Sequence, residues 1–405
     1  MNVDRKAERD VLLKSIFSPA GMAFAMFLCL AGASTRAEDM QTAVPNVLLI
    51  DAGTNTVLFE KGADDRVTPA STVKILTAEI FFRELAEGRI KLTDEYFVSE
   101  YAWRNGGAPA GGSAMFLPVK SRATVDDLLR GLLVDSGNDA ALVLAEGFAG
   151  SEEAFVEKMN LRAQELGLSK SHFTSPWGKD SDEQKVSARD MVKLAMHVMR
   201  AYPQYYHYFG EREFTFNKIR QLNRNPLLTM NIGADGLKTG NIGNSGFNLV
   251  GSAVEEGRRL VVAVYGAHSV KERAEEALKL LQWGFRSFED RPLFAAGETI
   301  GAAAVYGGIK GSVDVASPVA VSTLMPRAGS EKLVGKVIYS GPVIAPVEKG
   351  APIGRLQISR GGKIVLEQPV EAVESVAQGS LPGRTFDALF ESAAGAIHQK
   401  LNARK

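Results

Sequence analysis

The period of the hydrophobic pattern changes twice between Asn46 and Trp283, and no other feature of the chain narrows its possible folds as much. Apolar runs at 47–50 and 57–59, joined by the turn residues Gly53, Thr54 and Asn55, predict a strand hairpin. Behind Pro69 the spacing becomes helical, with Ile75, Leu76, Ile80, Phe81 and Leu85 on one face and Gly88 as the stop. Further helices are predicted over 125–133, 139–148, 152–166 and 188–199. Strand patterns return at 233–238, 247–253 and 259–265 between glycine-rich turns, and one more helix follows over 270–283. Strands first, helices in the middle and adjacent strands last describe an α+β domain on an antiparallel sheet.

Past Phe288 the texture changes to short β-type runs broken by Gly307, Gly308, Gly311, Gly350, Gly354, Gly361 and Gly362, which predicts a small, β-sandwich-like all-β domain over 289–383. Segment 384–405 is helical again, with Phe386, Leu389, Phe390, Ala393, Ile397 and Leu401 on one face and Lys400, Arg404 and Lys405 at its end. This amphipathic helix fits two placements equally well, flat in a membrane interface or docked on its own domain.

At the other end, Arg5, Lys6, Arg9 and Lys14 precede an apolar stretch at 20–33 and a small-residue site ending at Ala37. That is the order of a secretory leader over 1–37, with the mature chain starting at Glu38 and its main domain running over 38–288. An uncleaved anchor is the alternative, although the apolar run is shorter than the ~20 residues that span a bilayer. Either way the chain is expected to be exported.

Charge and composition exclude several function classes. Basic and acidic residues balance at 47 each, so no long-range field favours nucleic acid. The single cysteine, Cys29, lies in the apolar leader and rules out a disulfide framework. His172, His197, His207, His268 and His398 have no ligand spacing, so no metal site is predicted.

Three short patterns follow one another: Ser71-Thr72-Val73-Lys74, Ser136-Gly137-Asn138 and Lys238-Thr239-Gly240. Each alone reads as a helix cap, a turn or a strand end. Together they supply the parts of an acyl-transfer site. A three-residue spacing on a helix puts Lys74 on the same face as Ser71, a base beside a nucleophile, and the helix N-terminus offers backbone N–H groups to an oxyanion. Lys74 acts as a base only when neutral, which requires burial and a second cation, for which Lys238 is the candidate. In a loop between helices, the Ser136 hydroxyl can relay a proton while the Asn138 amide holds a substrate carbonyl. Gly240 lets a substrate backbone approach closely.

This ordered set resembles the signature shared by class A β-lactamases and penicillin-binding proteins. With Pro69 and Ala70 before the serine, and with Asn223-Arg224-Asn225-Pro226-Leu227-Leu228 and Asp235-Gly236-Leu237-Lys238-Thr239-Gly240, the chain more narrowly resembles the low-molecular-mass serine D-alanyl-D-alanine carboxypeptidases. The resemblance covers about 46–288 and implies a β-lactamase/transpeptidase-like domain, an antiparallel sheet with helices on both faces. It implies acylation of Ser71 with Lys74 as base, a site completed by Ser136, Asn138 and Lys238, and a substrate carboxylate held by Thr239. It also implies an oxyanion hole from the N–H groups of Ser71 and Asn241, and Arg273 paired with the terminal carboxylate. A guanidinium fork suits a carboxylate; a surface ion pair with Glu272 or Glu275 is the alternative for Arg273.

The implied substrate is a peptidoglycan stem peptide, with β-lactams as acylating inhibitors, no cofactor, and a periplasmic location on the inner-membrane surface. A D,D-endopeptidase and a β-lactamase share the same nucleophile, and a wall-binding scaffold is the non-enzymatic alternative. The charged insert 179–185 departs from the family pattern: Glu183 is followed four residues on by Ser187, where a class A β-lactamase has asparagine. Slow deacylation of β-lactams is therefore expected.

Overall fold

A computed structural model describes residues 6–11, 40–243, 246–327 and 332–379. Two compact units divide at Ser287, one built from Asp39–Gly53 and Val57–Ser287, the other from Phe288 onward with Thr54–Thr56.

The first unit is organised by a five-stranded antiparallel sheet in the order Val57–Lys61, Asn46–Asp51, Arg258–Ala267, Gly246–Glu255, Ala234–Ile242. Strands from both ends of the unit meet in its middle, where Leu49 lies opposite Val262 and Leu48 opposite Ala263. Alternate side chains leave opposite faces of a strand, and both faces are covered. Leu48, Val261 and Ala263 pack into the helical core, whereas Leu49 and Leu260 lie against Gly284 of the helix α7 (Val270–Ser287), where a Cβ would fall 2.9 and 2.7 Å from their side chains. The continuous apolar runs of the central strands follow from this double burial.

The helical layer holds α1 (Lys74–Ala86), α2 (Glu100–Gly106), α3 (Val125–Leu133), α4 (Asn138–Ala149), α5 (Glu152–Glu165) and α6 (Ala188–Ala201). Thr124, Ser151 and Ser187 accept backbone N–H bonds of 3.1, 3.2 and 3.1 Å at the starts of α3, α5 and α6, which fixes where these helices begin. Helix α2 and the hairpin Glu213–Phe216 with Ile219–Leu222 were not predicted, since short, half-exposed segments carry little apolar period. The first helix also starts later than its pattern suggests. Ser71 sits in a 3-10 turn, Ala70–Val73, entered through a left-handed Ala70, and the α-helix proper begins at Lys74.

The second unit is all-β. Lys6–Val11, Leu333–Ser340, Pro352–Arg360, Lys363–Ala372, Ser312–Ala316, Thr299–Tyr306 and Val343–Ile344 form one sheet in that order, and Phe288–Phe294 pairs with Val321–Pro326. Val313, Val315, Leu356, Ile358 and Val370 are among its buried core residues. Part of the stretch assigned to the leader thus pairs antiparallel with Leu333–Ser340. The rest of that leader and the tail helix at 384–405 lie outside the described residues. Among the described residues, no helix is long and apolar enough to cross a membrane.

Candidate active site

Two glycines press neighbouring chain against the serine. A Cβ on Gly240 would sit 2.8 Å from the Pro69 carbonyl oxygen and from the Ala70 Cβ, and one on Gly178 would sit 2.2 Å from the Ala70 carbonyl oxygen. The edge strand Ala234–Ile242 and the loop after Pro176 therefore clamp the Ala70–Ser71 peptide from two sides, at separations that only glycine permits.

One turn on, Lys74 is completely buried. Its Nζ lies 3.0 Å from Ser71 Oγ, 2.7 Å from Asn138 Oδ1 and 2.9 Å from the Trp177 carbonyl oxygen. The last two are acceptors only, so in a neutral amine they take both N–H donors and leave the lone pair for the Ser71 hydroxyl. Burial, then the charges of Lys238 and Arg224, hold the Lys74 amine well below the usual lysine range.

Asn138 opens α4, directly after the left-handed Ser136 (φ +60°) and Gly137. Gly137 is constrained by its neighbour, since a Cβ would fall 2.8 Å from the carboxylate of the buried Asp139. That carboxylate accepts from the backbone N–H groups of Met115, Leu117 and Ala140 at 2.8, 3.1 and 2.9 Å, tying the 113–117 segment to the start of α4.

Lys238, 2 % exposed, has a 3.3 Å bond to the Thr239 carbonyl and is held down to about 7 by burial, with Arg224 and Arg273 adding repulsion. Thr239 is buried beside it and Asn241 is exposed on the edge strand. Arg273 does not join the surface of α7. It is 5 % exposed, its Nη1 points 3.5 Å from the Gly240 carbonyl, and its Nε is buried without a partner. The expected alternative of an ion pair with Glu272 or Glu275 is not formed among the described residues; Glu275 pairs instead with Lys271. Burial lowers the Arg273 guanidinium to about 10. A buried guanidinium with a spare donor is poised for an anionic group.

Two groups escaped the sequence reading. Arg224 donates from Nε to the Asp135 carbonyl at 3.1 Å and repels both lysines. Asp135 is 1 % exposed, has an unpartnered Oδ1, and is pushed up to about 7 chiefly by burial. Nothing in an isolated Asp before Ser-Gly-Asn marks it, whereas Arg224 lies in Asn223-Arg224-Asn225-Pro226-Leu227-Leu228, one of the stretches that carry the family resemblance. Glu183, by contrast, is exposed, and Ser187 caps α6. No cluster of three or more metal-type ligands occurs among the described residues.

Comparison with known proteins places the chain in a family. The family profile described as D-alanyl-D-alanine carboxypeptidase matches residues 33–269, and that of the penicillin-binding protein 5 C-terminal domain matches 288–378. D-alanyl-D-alanine carboxypeptidase DacC of Escherichia coli strain K12 is 37% identical over 89% of this chain and 92% of its own. DacA of Haemophilus influenzae is 36% identical over 91% and 96%. The crystal structure of penicillin-binding protein 5 from Haemophilus influenzae superposes with a TM-score of 0.73 at 36% identity, covering 84% of this chain and 99% of that one. The expected fold class, a transpeptidase-like α+β domain followed by an all-β domain, agrees with these matches. By its matched length and the similarity of both its domains, the chain belongs to the low-molecular-mass penicillin-binding proteins of the serine D-alanyl-D-alanine carboxypeptidase family.

Proposed function

We propose that this carboxypeptidase removes the terminal D-alanine of peptidoglycan stem peptides through an acyl-enzyme on Ser71. Lys74 carries the reading: a buried amine whose two N–H groups are engaged by Asn138 and Trp177 has its lone pair directed at Ser71, 3.0 Å away. Ser71 Oγ attacks the carbonyl of the penultimate D-alanine and its proton passes to Lys74. Oxyanion charge collects at the Ser71 and Asn241 N–H groups. The C–N bond breaks as a proton reaches the leaving nitrogen through Ser136, and free D-alanine departs. Water then adds to the acyl ester, the Ser71–acyl bond breaks, and Ser71 recovers its proton. Lys238, Thr239 and Arg273 hold the terminal carboxylate.

The buried, partly unpartnered Arg273 favours a free C-terminus over an internal bond, hence carboxypeptidase over endopeptidase. The exposed Glu183 and the capping role of Ser187 favour a β-lactam that acylates Ser71 and stays, rather than β-lactamase turnover. An intact set of catalytic side chains speaks against a scaffold. In this reading the leader at 1–37 is cleaved, which removes only the edge strand Lys6–Val11 from its sheet, the enzyme works in the periplasm, and the basic amphipathic tail at 384–405 holds it to the inner-membrane surface.

Labelled penicillin tests the nucleophile. The adduct should map to the peptide containing Ser71 and vanish in Ser71→Ala, while Lys74→Arg, always charged, should acylate roughly 10²–10⁴-fold more slowly. An adduct on another residue would overturn the assignment. For the tail, deleting 384–405 should release the protein from the membrane fraction; unchanged partitioning would refute that anchor.

A further inference from the structure

The chain leaves the all-β unit where its apolar surface is least covered. Ile344 and Ile309 are 75 % and 65 % exposed, the two highest values for any large apolar side chain among the described residues. Ile344 lies opposite Tyr306 in parallel pairing, and Ile309 follows Tyr306 by three residues, a span of at most ~11 Å. The last described residues run beside both. The Ile309 N–H donates to the Ala377 carbonyl at 2.9 Å, and the Gly379 N–H donates to the Gly307 carbonyl at 2.8 Å. Segment 343–347 is bound from two sides: the Ala345 N–H donates to the Tyr306 carbonyl at 3.0 Å, and Val347 and Val376 exchange bonds of 2.9 and 2.8 Å. Two large apolar side chains held out by backbone bonds at one place have the character of a contact surface, unlike exposed residues scattered singly.

What covers them follows from where the chain goes next. Residues 380–383 alone separate Gly379 from the tail segment, so residue 384 is at most ~18 Å of extended chain away. The tail sequence predicts an amphipathic helix ending in Lys400, Arg404 and Lys405. At a lipid surface such a helix buries its apolar face ~5–10 Å into the headgroup boundary, so the short linker holds the Gly379 end of the unit near the same surface. Local charge permits the approach. Lys310 donates to both carboxylate oxygens of Glu374, at 2.8 and 2.6 Å, so this acid presents little bare charge to an anionic lipid.

We propose that the patch of Ile309 and Ile344 is a second membrane-contact surface, which enters the headgroup region of the bilayer beside the tail. The proposal rests on the tail-anchor reading and adds to it the end of the β unit that meets the lipid. A tail alone tethers the unit; a second contact fixes which end faces the bilayer. Partial burial of two isoleucines also strengthens binding through a contact already linked to the tail.

The test attaches an environment-sensitive fluorophore to a single cysteine of the full chain, in a Cys29→Ser background, at Ile344→Cys or at Val319→Cys. Val319, 51 % exposed, follows Ala316, which lies opposite Thr299 at the other end of the strand Thr299–Tyr306, about 23 Å from Tyr306. On vesicles of phosphatidylethanolamine and phosphatidylglycerol, emission from position 344 should shift to the blue and emission from position 319 should not. Ile309→Ser combined with Ile344→Ser should weaken vesicle binding about tenfold at unchanged thermal stability. Vesicle-bound protein with no shift at 344, or with equal shifts at both positions, would overturn the patch and leave the tail anchor standing. Emission from 344 that is already blue without lipid and does not change on adding it would show the patch covered by the protein itself, and would overturn the proposal in the same way. No binding to vesicles, or binding that survives deletion of 384–405 unchanged, would overturn both.

Discussion

The backbone carbonyl of Trp177 accepts a 2.9 Å hydrogen bond from Lys74, so the loop that floors the site takes one of the two N–H donors of the proposed base. The same loop is tied to α1 a second time, where Thr77 Oγ1 donates to the Pro176 carbonyl at 2.6 Å. Its path past Ser71 depends on the left-handed Gly178, at φ +92°. The amine is thus oriented by backbone as much as by side chains.

Gly178→Ala should therefore cost far more than Trp177→Ala. The new Cβ would fall 2.2 Å from the Ala70 carbonyl oxygen, in a conformation that L residues rarely adopt, and would displace Ser71. Penicillin acylation should fall roughly 10²-fold in Gly178→Ala with the far-ultraviolet circular dichroism intact, and by much less in Trp177→Ala, which retains the carbonyl. Equal losses would show that the indole, not the backbone, positions Lys74.

Asp135 and Lys238 contribute opposite slopes to the pH dependence of stability on either side of neutrality, beside the lowered Lys74 amine, whose contribution rises with pH. Asp135 is pushed up to about 7, so between the usual carboxylate range and about 7 the folded state binds more protons than the unfolded one, and stability falls as pH rises. Lys238 is held down to about 7, so above that the unfolded state binds more protons and stability climbs toward the usual lysine range. Chemical denaturation across pH 4 to 10 checks this. Asp135→Asn should flatten the acidic limb and spare the alkaline one; an unchanged acidic limb would remove Asp135 as its cause.

Arg273→Ala should raise KM for a free C-terminal D-alanine roughly 10²-fold, the usual scale for losing one partner of a buried charge pair. A peptide with an amidated C-terminus should be a poor substrate of the wild type and no worse with the variant. Steady-state kinetics on the two peptides read the difference. If both peptides weakened together, Arg273 would be a packing residue for the Gly240 strand rather than a carboxylate ligand.

Much of the site was legible because its chemistry is local. Ser71 and Lys74 announce themselves by a helical spacing, and Ser136, Asn138 and Lys238 by short patterns in a fixed order. The central strands and longer helices were legible through apolar period, with ends off by a few residues: the helix predicted over 188–199 runs to Ala201. What was hidden is what depends on tertiary placement. A carbonyl such as that of Trp177 has no sequence signal, and Asp139 looks like any first-turn acid until its three backbone donors are seen. The repulsion of Arg224 on two lysines arises only when separated segments are brought together.

The most direct test of the central claim is D-alanine release from a stem pentapeptide by the purified full chain beside Ser71→Ala. The wild type should release D-alanine and the shortened peptide in equal amounts, and the variant neither. Undiminished release by Ser71→Ala would contradict the claim, since the acyl chain would then be carried by another group or by none.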